Sequence, residues 1–304
     1  MPLSPVPSGA PTPSARRYPT PVTASEPHWV ITLRCADRPG IVHAVSGAIV
    51  AAGGNITESM QYYSSDTETF FMRIQVALAV RADLEAELES VRDLLDAQIE
   101  VDEVGRPMRT LILVSKAGHV LNDLLFAHRS GSLGVDVRLI LGNHDELAPL
   151  AAFYGVPFEH HEVTAATKHL LEQRIREACE QYDIELVVLA RYMQILSSEL
   201  CAYLAGRAIN IHHSFLPGFK GANPYRQAHA RGVKLIGATA HFVTTELDEG
   251  PIIEQNVTRV SHSRSVPELV ELGQDIESRT LVSAVKLFAQ HRVLIDGSRT
   301  IIFD

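Results

Sequence analysis

Basic residues are in short supply: 27 Lys and Arg stand against 36 Asp and Glu, a formal net charge of −9. Such a chain has no cationic surplus to displace the counterions of a phosphate backbone, which excludes broad binding to nucleic acid or to an anionic membrane. Cysteine is scarce too. Cys35, Cys179 and Cys201 form no Cys-x-x-Cys pair and no disulfide framework, so they suit a reducing cytoplasm, with all three thiols buried and inert. No apolar run approaches the roughly 20 residues that cross a bilayer. Histidine is plentiful, yet His212, His213, His229 and His241 fit none of the common zinc spacings, and the cysteines lie elsewhere. The chain therefore carries no expectation of a metal.

What is present is 304 residues with 46% hydrophobic content, enough for two domains that each bury a core. Residues 1–27 stand apart, rich in Pro, Ser, Thr and Ala, with Arg16 and Arg17 as their only basic residues. Lacking a continuous apolar core of signal-peptide type, they read as a disordered tail.

Residues 28–104 form the first folded unit. Val30 to Cys35 has strand character, Asp37-Arg38-Pro39-Gly40 is a turn with helix-start chemistry, and Ile41, Val45, Ala48, Ile49 and Ala52 repeat at helical spacing. Gly53-Gly54-Asn55 stops that helix. Strands over 56–64 and 70–78, a helix marked by Leu84, Leu88, Val91, Leu94 and Leu95, and a strand over 98–104 complete βαββαβ, the ferredoxin-like order.

After Gly105-Arg106-Pro107 the pattern changes, and residues 105–304 read as a second domain. Strands over 109–114, 135–141 and 186–189 alternate with helices covering 122–128, 147–154 and 168–182, with a short extended segment at 158–160. This predicts a doubly wound α/β sheet. Strands follow over 234–244 and 250–257, then a helix over 266–290.

Chemistry concentrates in Asn210-Ile211-His212-His213-Ser214-Phe215-Leu216-Pro217 and Leu247-Asp248-Glu249-Gly250-Pro251. If the runs ending at Leu189 and Ile209 are neighbouring buried strands, Asn210 and His212 sit at a strand's carboxyl end, where open α/β sheets place ligands. An amide, an imidazole and a carboxylate are the groups needed to bind a developing oxyanion, move a proton and hold the imidazole. Singly, each is an ordinary turn residue or a satisfied polar group. Together they indicate a catalytic set.

Two resemblances follow from these residues. The strand, Asp37-Arg38-Pro39-Gly40-Ile41 and a helix ending at Gly54-Asn55-Ile56 resemble the ACT domain over residues 29–104. That resemblance implies side-by-side pairing between subunits, hence a homo-oligomer, with an amino-acid effector at the interface. Physically, the Gly40 turn and helix start offer backbone N–H groups to a carboxylate; equally, the domain could only hold an oligomer together.

Residues 210–217, with Ala240-His241-Phe242-Val243 and 247–251, resemble the formyltetrahydrofolate formyltransferase fold family over 108–290. With an ACT domain ahead, the chain is similar to the formyltetrahydrofolate deformylases, which hydrolyse 10-formyltetrahydrofolate to tetrahydrofolate and formate. The resemblance implies Asn210, His212 and Asp248 as catalytic residues and no cofactor beside the substrate. It implies Met193, Gln194, Ile195 and Leu196, within Arg191–Leu196, as the pterin-binding segment; the transferases typically carry Arg where this chain has Gln194. Lys220, Tyr225 and Arg226 lie in a Gly-rich stretch that covers the site or is plain surface.

The loop Val114-Ser115-Lys116-Ala117-Gly118-His119 has one glycine and a bulky His where phosphate-binding relatives carry a Gly-rich cradle. Ser115, Lys116 and His119 still remain available to an anion. Transfer to methionyl-tRNA is disfavoured by the acidic charge and by the lack of a second, basic carboxyl-terminal domain. The competing readings are formyl transfer to a small amine and a non-catalytic folate or amino-acid sensor.

Overall fold

The computed structural model describes residues 27–218 and 224–304; the expected tail before Pro27 and Lys220 lie outside the described residues. The first unit runs β1 (His28–Ala36), α1 (Ile41–Ala51), β2 (Asn55–Ser64), β3 (Thr69–Ala77), α2 (Arg81–Leu95) and β4 (Gln98–Glu103). Its antiparallel sheet has the order β2-β3-β1-β4, so the ferredoxin-like order read from periodicity holds. Inward-facing Ile31 and Leu33 of β1 and Ile74 and Val76 of β3 meet Val45, Ile49, Leu84 and Leu88 of the helices in one apolar cluster. Gly40 caps α1 at φ 98°, a left-handed conformation open to glycine at no steric cost.

The second unit continues with β5 (Met108–Val114), α3 (His119–Arg129), β6 (Val135–Gly142), α4 (Ala148–Tyr154), β7 (Phe158–His160), α5 (Lys168–Gln181), β8 (Leu186–Ala190) and α6 (Ser198–Tyr203). Then come β9 (Ala208–His212), α7 (Pro224–Arg231), β10 (Leu235–Phe242), β11 (Ile252–Arg259), α8 (Val266–Ala289), β12 (Val293–Asp296) and β13 (Arg299–Ile302). Seven strands form the sheet β11-β10-β9-β8-β5-β6-β7. Strands β5 to β9 are parallel, as predicted, whereas β10 pairs antiparallel with both β9 and β11. The short β10–β11 connection enforces the antiparallel pairing of those two strands, because a parallel return needs a crossover of a dozen or more residues.

Each face of this sheet is covered. One apolar cluster lies between the sheet and α3, α7 and α8; another lies between the sheet and α5 and α6. Strand β9 extends past Ile209 because its antiparallel neighbour carries it further: Leu189 of β8 pairs with Asn210, while Thr239 of β10 still pairs with His212. Asn210 and His212 are thus strand residues rather than loop residues. All three cysteines are buried, and burial raises each thiol pKa. No described helix is long and apolar enough to cross a membrane.

Polar contacts join the two units. Arg106 pairs with Asp102 at 2.5 Å and with Glu185 at 2.6 Å. Buried Arg73 donates to the carbonyls of Gln290 and His291 at the end of α8. Asp296 of β12 accepts hydrogen bonds from Ser64 and Thr67.

Candidate active site

Because alternate strand residues share a face, β9 presents Asn210 and His212 together. The connection from β10 to β11 then folds back over them. Gly250 makes this return possible, since a Cβ there would lie 1.8 Å from the Phe242 carbonyl oxygen. Asp248, in a left-handed conformation at φ 59°, comes to 3.2 Å from His212 Nδ1. That hydrogen bond holds the Asp248 carboxyl below its usual range despite opposing burial. His212 is buried, and its Nε2 has no hydrogen-bond partner among the described residues.

A second imidazole fixes the amide. His241 lies opposite Asn210 in the β9–β10 register. Its Nδ1 is 2.8 Å from the Phe242 carbonyl, an acceptor only, so Nδ1 must carry the proton. Burial pushes the His241 pKa down, which keeps Nε2 bare to accept from Asn210 Nδ2 at 3.2 Å. The amide orientation of Asn210 follows, with one N–H engaged and the other left over. The sequence offered His241 as part of a motif but assigned it no role.

These groups line a cleft of about 710 Å³ that also takes in Met193, Gln194, Ile195 and Leu196. Met193 and Ile195 are exposed and Leu196 is buried, so the segment forms an apolar edge to the cleft. A somewhat larger cleft, about 770 Å³, lies between the two domains and contains none of Asn210, His212 or Asp248.

The loop after β5 is engaged by the protein itself. Ser115 donates to Asn143 at 2.6 Å and accepts from the Met193 N–H at 2.9 Å. Lys116 pairs with Glu146 at 3.0 Å. His119 Nε2 lies 2.8 Å from Glu277 of α8. Tyr225 belongs to α7 rather than to a loop; it is buried and donates to Glu277 at 2.6 Å. Arg226, next to it, is exposed.

Glu277 is the functional-site residue that sequence reasoning missed. It is 1% exposed, and burial alone would raise its pKa. Hydrogen bonds from His119 and Tyr225 and the charge of Arg191, whose Nε is 3.4 Å away without hydrogen-bond alignment, hold it low instead. The available signal was Gly273 one turn earlier on the buried stripe of α8: a Cβ there would meet the Tyr225 ring at 2.1 Å. Beside this cluster, burial, helped by Arg191 and His212, lowers the His213 pKa to about 4. Among the described residues no group of three or more His, Cys, Asp or Glu is disposed to share a metal ion.

Residues 108–285 match the formyl transferase family model, and residues 29–93 match that of the ACT domain. The catalytic unit is therefore of the formyl transferase class. The formyltetrahydrofolate deformylase of Corynebacterium sp. (strain P-1) is 43% identical, covering 90% of this chain and 97% of its own. The crystal structure of formyltetrahydrofolate deformylase from Burkholderia mallei ATCC 23344 is 48% identical, with a TM-score of 0.88 over 91% of this chain and 100% of that one. Glycinamide ribonucleotide transformylase 1 from Symbiobacterium toebii, 32% identical with a TM-score of 0.61, covers 66% of this chain and 97% of its own. The chain belongs to the formyltetrahydrofolate deformylase family.

Proposed function

We propose that the chain hydrolyses 10-formyltetrahydrofolate to tetrahydrofolate and formate, with Asn210, His212 and Asp248 as its catalytic residues. The observation that carries this reading is the buried, unpartnered Nε2 of His212, set between an oriented amide and a carboxylate in one cleft. Water attacks the formyl carbon, and negative charge grows on the formyl oxygen. The second N–H of Asn210 and the Nε2–H of doubly protonated His212 stabilise that charge. Asp248 holds the imidazole through Nδ1 and helps take the water proton. The C–N bond then breaks, N10 gains a proton and formate leaves.

The apolar edge formed by Met193, Ile195 and Leu196, with Gln194 between them, supplies a slot for the flat pterin ring. No cofactor enters this scheme. The ACT domain is assigned the task of pairing subunits and taking an amino-acid effector, in a cytoplasmic enzyme. The decisive assay measures tetrahydrofolate and formate from 10-formyltetrahydrofolate with no amine added. Equal release of both supports the reading; no product from either until an amine is supplied would replace it with transfer.

A further inference from the structure

The cleft has two unlike walls because the sheet has two faces. Tyr192 and Leu196 of the slot segment, with Val243 beside them, pack into the cluster under α5 and α6. The flat donor, on the reading above, lies against that side. Tyr225 and Ile276 pack instead into the cluster under α3, α7 and α8, and this second wall presents His119, Glu277 and Tyr225. The formyl carbon sits between the walls, at the carboxyl end of β9. With the donor along one wall, a nucleophile must approach from the other.

That other wall is filled. Tyr225 lies across α8 in the space that Gly273 leaves free. Its hydroxyl is fixed on one oxygen of Glu277, and His119 is fixed on the other. Glu277 is 1% exposed and His119 is 18% exposed, so the imidazole is the outermost member, facing the cleft. Arg191, at the start of the slot segment, adds a charge contact to the same carboxylate. Three segments distant in sequence thus converge on one buried anion of α8, which makes the wall rigid as well as full.

We infer that His119, Glu277 and Tyr225 determine acceptor specificity by walling off the nucleophile side of the cleft, so that water reaches the formyl carbon and a primary amine does not. The inference rests on the proposed hydrolysis. It makes His119 the stopper: removing its imidazole opens a channel while Tyr225 and Glu277 still brace α7 on α8. In the opened cleft an amine nitrogen bonds to the formyl carbon, the bond to N10 breaks, and the amine proton ends on N10. Products are then an N-formyl amine and tetrahydrofolate, with no formate.

The test reads formate and tetrahydrofolate from 10-formyltetrahydrofolate in rising hydroxylamine or glycinamide, corrected for the enzyme-free reaction. The parent enzyme releases the two in equal amounts at every amine concentration. His119→Ala loses formate relative to tetrahydrofolate as amine rises, and the missing formyl group appears on the amine. The ratio is internal to each sample, so a slow variant still gives an answer. His119→Ser, which keeps a hydroxyl for Glu277, serves if the alanine variant does not fold.

Tyr225→Phe retains the ring and keeps the ratio at parity. A ratio that stays at parity in both His119 variants overturns the inference. So does amine capture by the parent, or capture by Tyr225→Phe equal to that of His119→Ala. Failure of the parent to release formate without amine would instead overturn the hydrolase reading itself.

Discussion

Replacing Asn210 by Ala removes one amide whose two N–H groups have separable jobs. One is bound to His241 Nε2 at 3.2 Å; the other is the donor assigned to the growing oxyanion. Loss of one preorganised donor of this kind costs about 3 kcal/mol of transition-state stabilisation, or 10²–10³-fold in kcat. Because the charge exists only in the transition state, kcat and kcat/KM should fall together while KM barely moves. The other N–H predicts a smaller structural effect. His241 is 3% exposed, and leaving its acceptor unpaired costs about 1–3 kcal/mol, which for a domain of this size lowers Tm by roughly 2–4 °C per kcal/mol. Steady-state tetrahydrofolate formation and thermal melts at one pH separate the two effects. A folded Asn210→Ala enzyme retaining kcat within about tenfold of the parent, a loss of only about 1.4 kcal/mol, would refute the oxyanion assignment.

Asp248→Ala should fold yet lose about 10²-fold or more in kcat, the usual scale of positioned acid–base help; near-parental turnover in the same assay contradicts the role. For His213, the folded pKa is held down to about 4 against an ordinary 6.5. The unfolded chain therefore binds that proton first, so the stability is fully present above pH 6.5 and is lost as pH falls toward 4. His213→Gln should flatten the Tm-versus-pH curve across that window, and an unchanged slope counts against it. Arg106→Ala removes a bridge to Asp102 and Glu185 and should cost about 2 kcal/mol in a urea titration, leaving kcat unaltered. Glycine or methionine, added over a wide concentration range, should change turnover if the ACT domain takes a one-carbon-linked amino acid; a flat response to both argues against an effector of that class.

Local pattern carried most of the architecture. The strands around Ile31, Ile112 and Val188 and the helix containing Leu269, Ile276 and Leu281 declare themselves by periodicity, because each buries a continuous face or stripe. Asn210, His212 and Asp248 were legible as a set, and the structure brings them to one cleft. Helix α6 carries only one short turn-and-a-half of pattern, from Ser198 to Tyr203. Helix α7 has little apolar periodicity to announce it. The pairing of His241 with Asn210 was invisible for a different reason. It depends on the register of two antiparallel strands 31 residues apart, and register is a property of the pair. Glu277 reads as an ordinary helix-surface acid until Tyr225 and His119, 52 and 158 residues away, are folded onto it.

The contact between Arg73 and the end of α8 has a bearing on how such fused chains are built. The last carbonyls of a helix have no partner within it and carry partial negative charge. Here Gln290, the C-cap of the 24-residue α8, and His291 receive a guanidinium from the first domain. Its charge is balanced by Glu58 at 2.6 Å, also from that domain. The helix that carries Glu277 is therefore finished by residues that the catalytic sequence does not encode. Cutting the chain near Gly105 would strip this cap and leave those carbonyls to water, so the fused first domain adds a stabilising contact at the far end of the helix that carries Glu277.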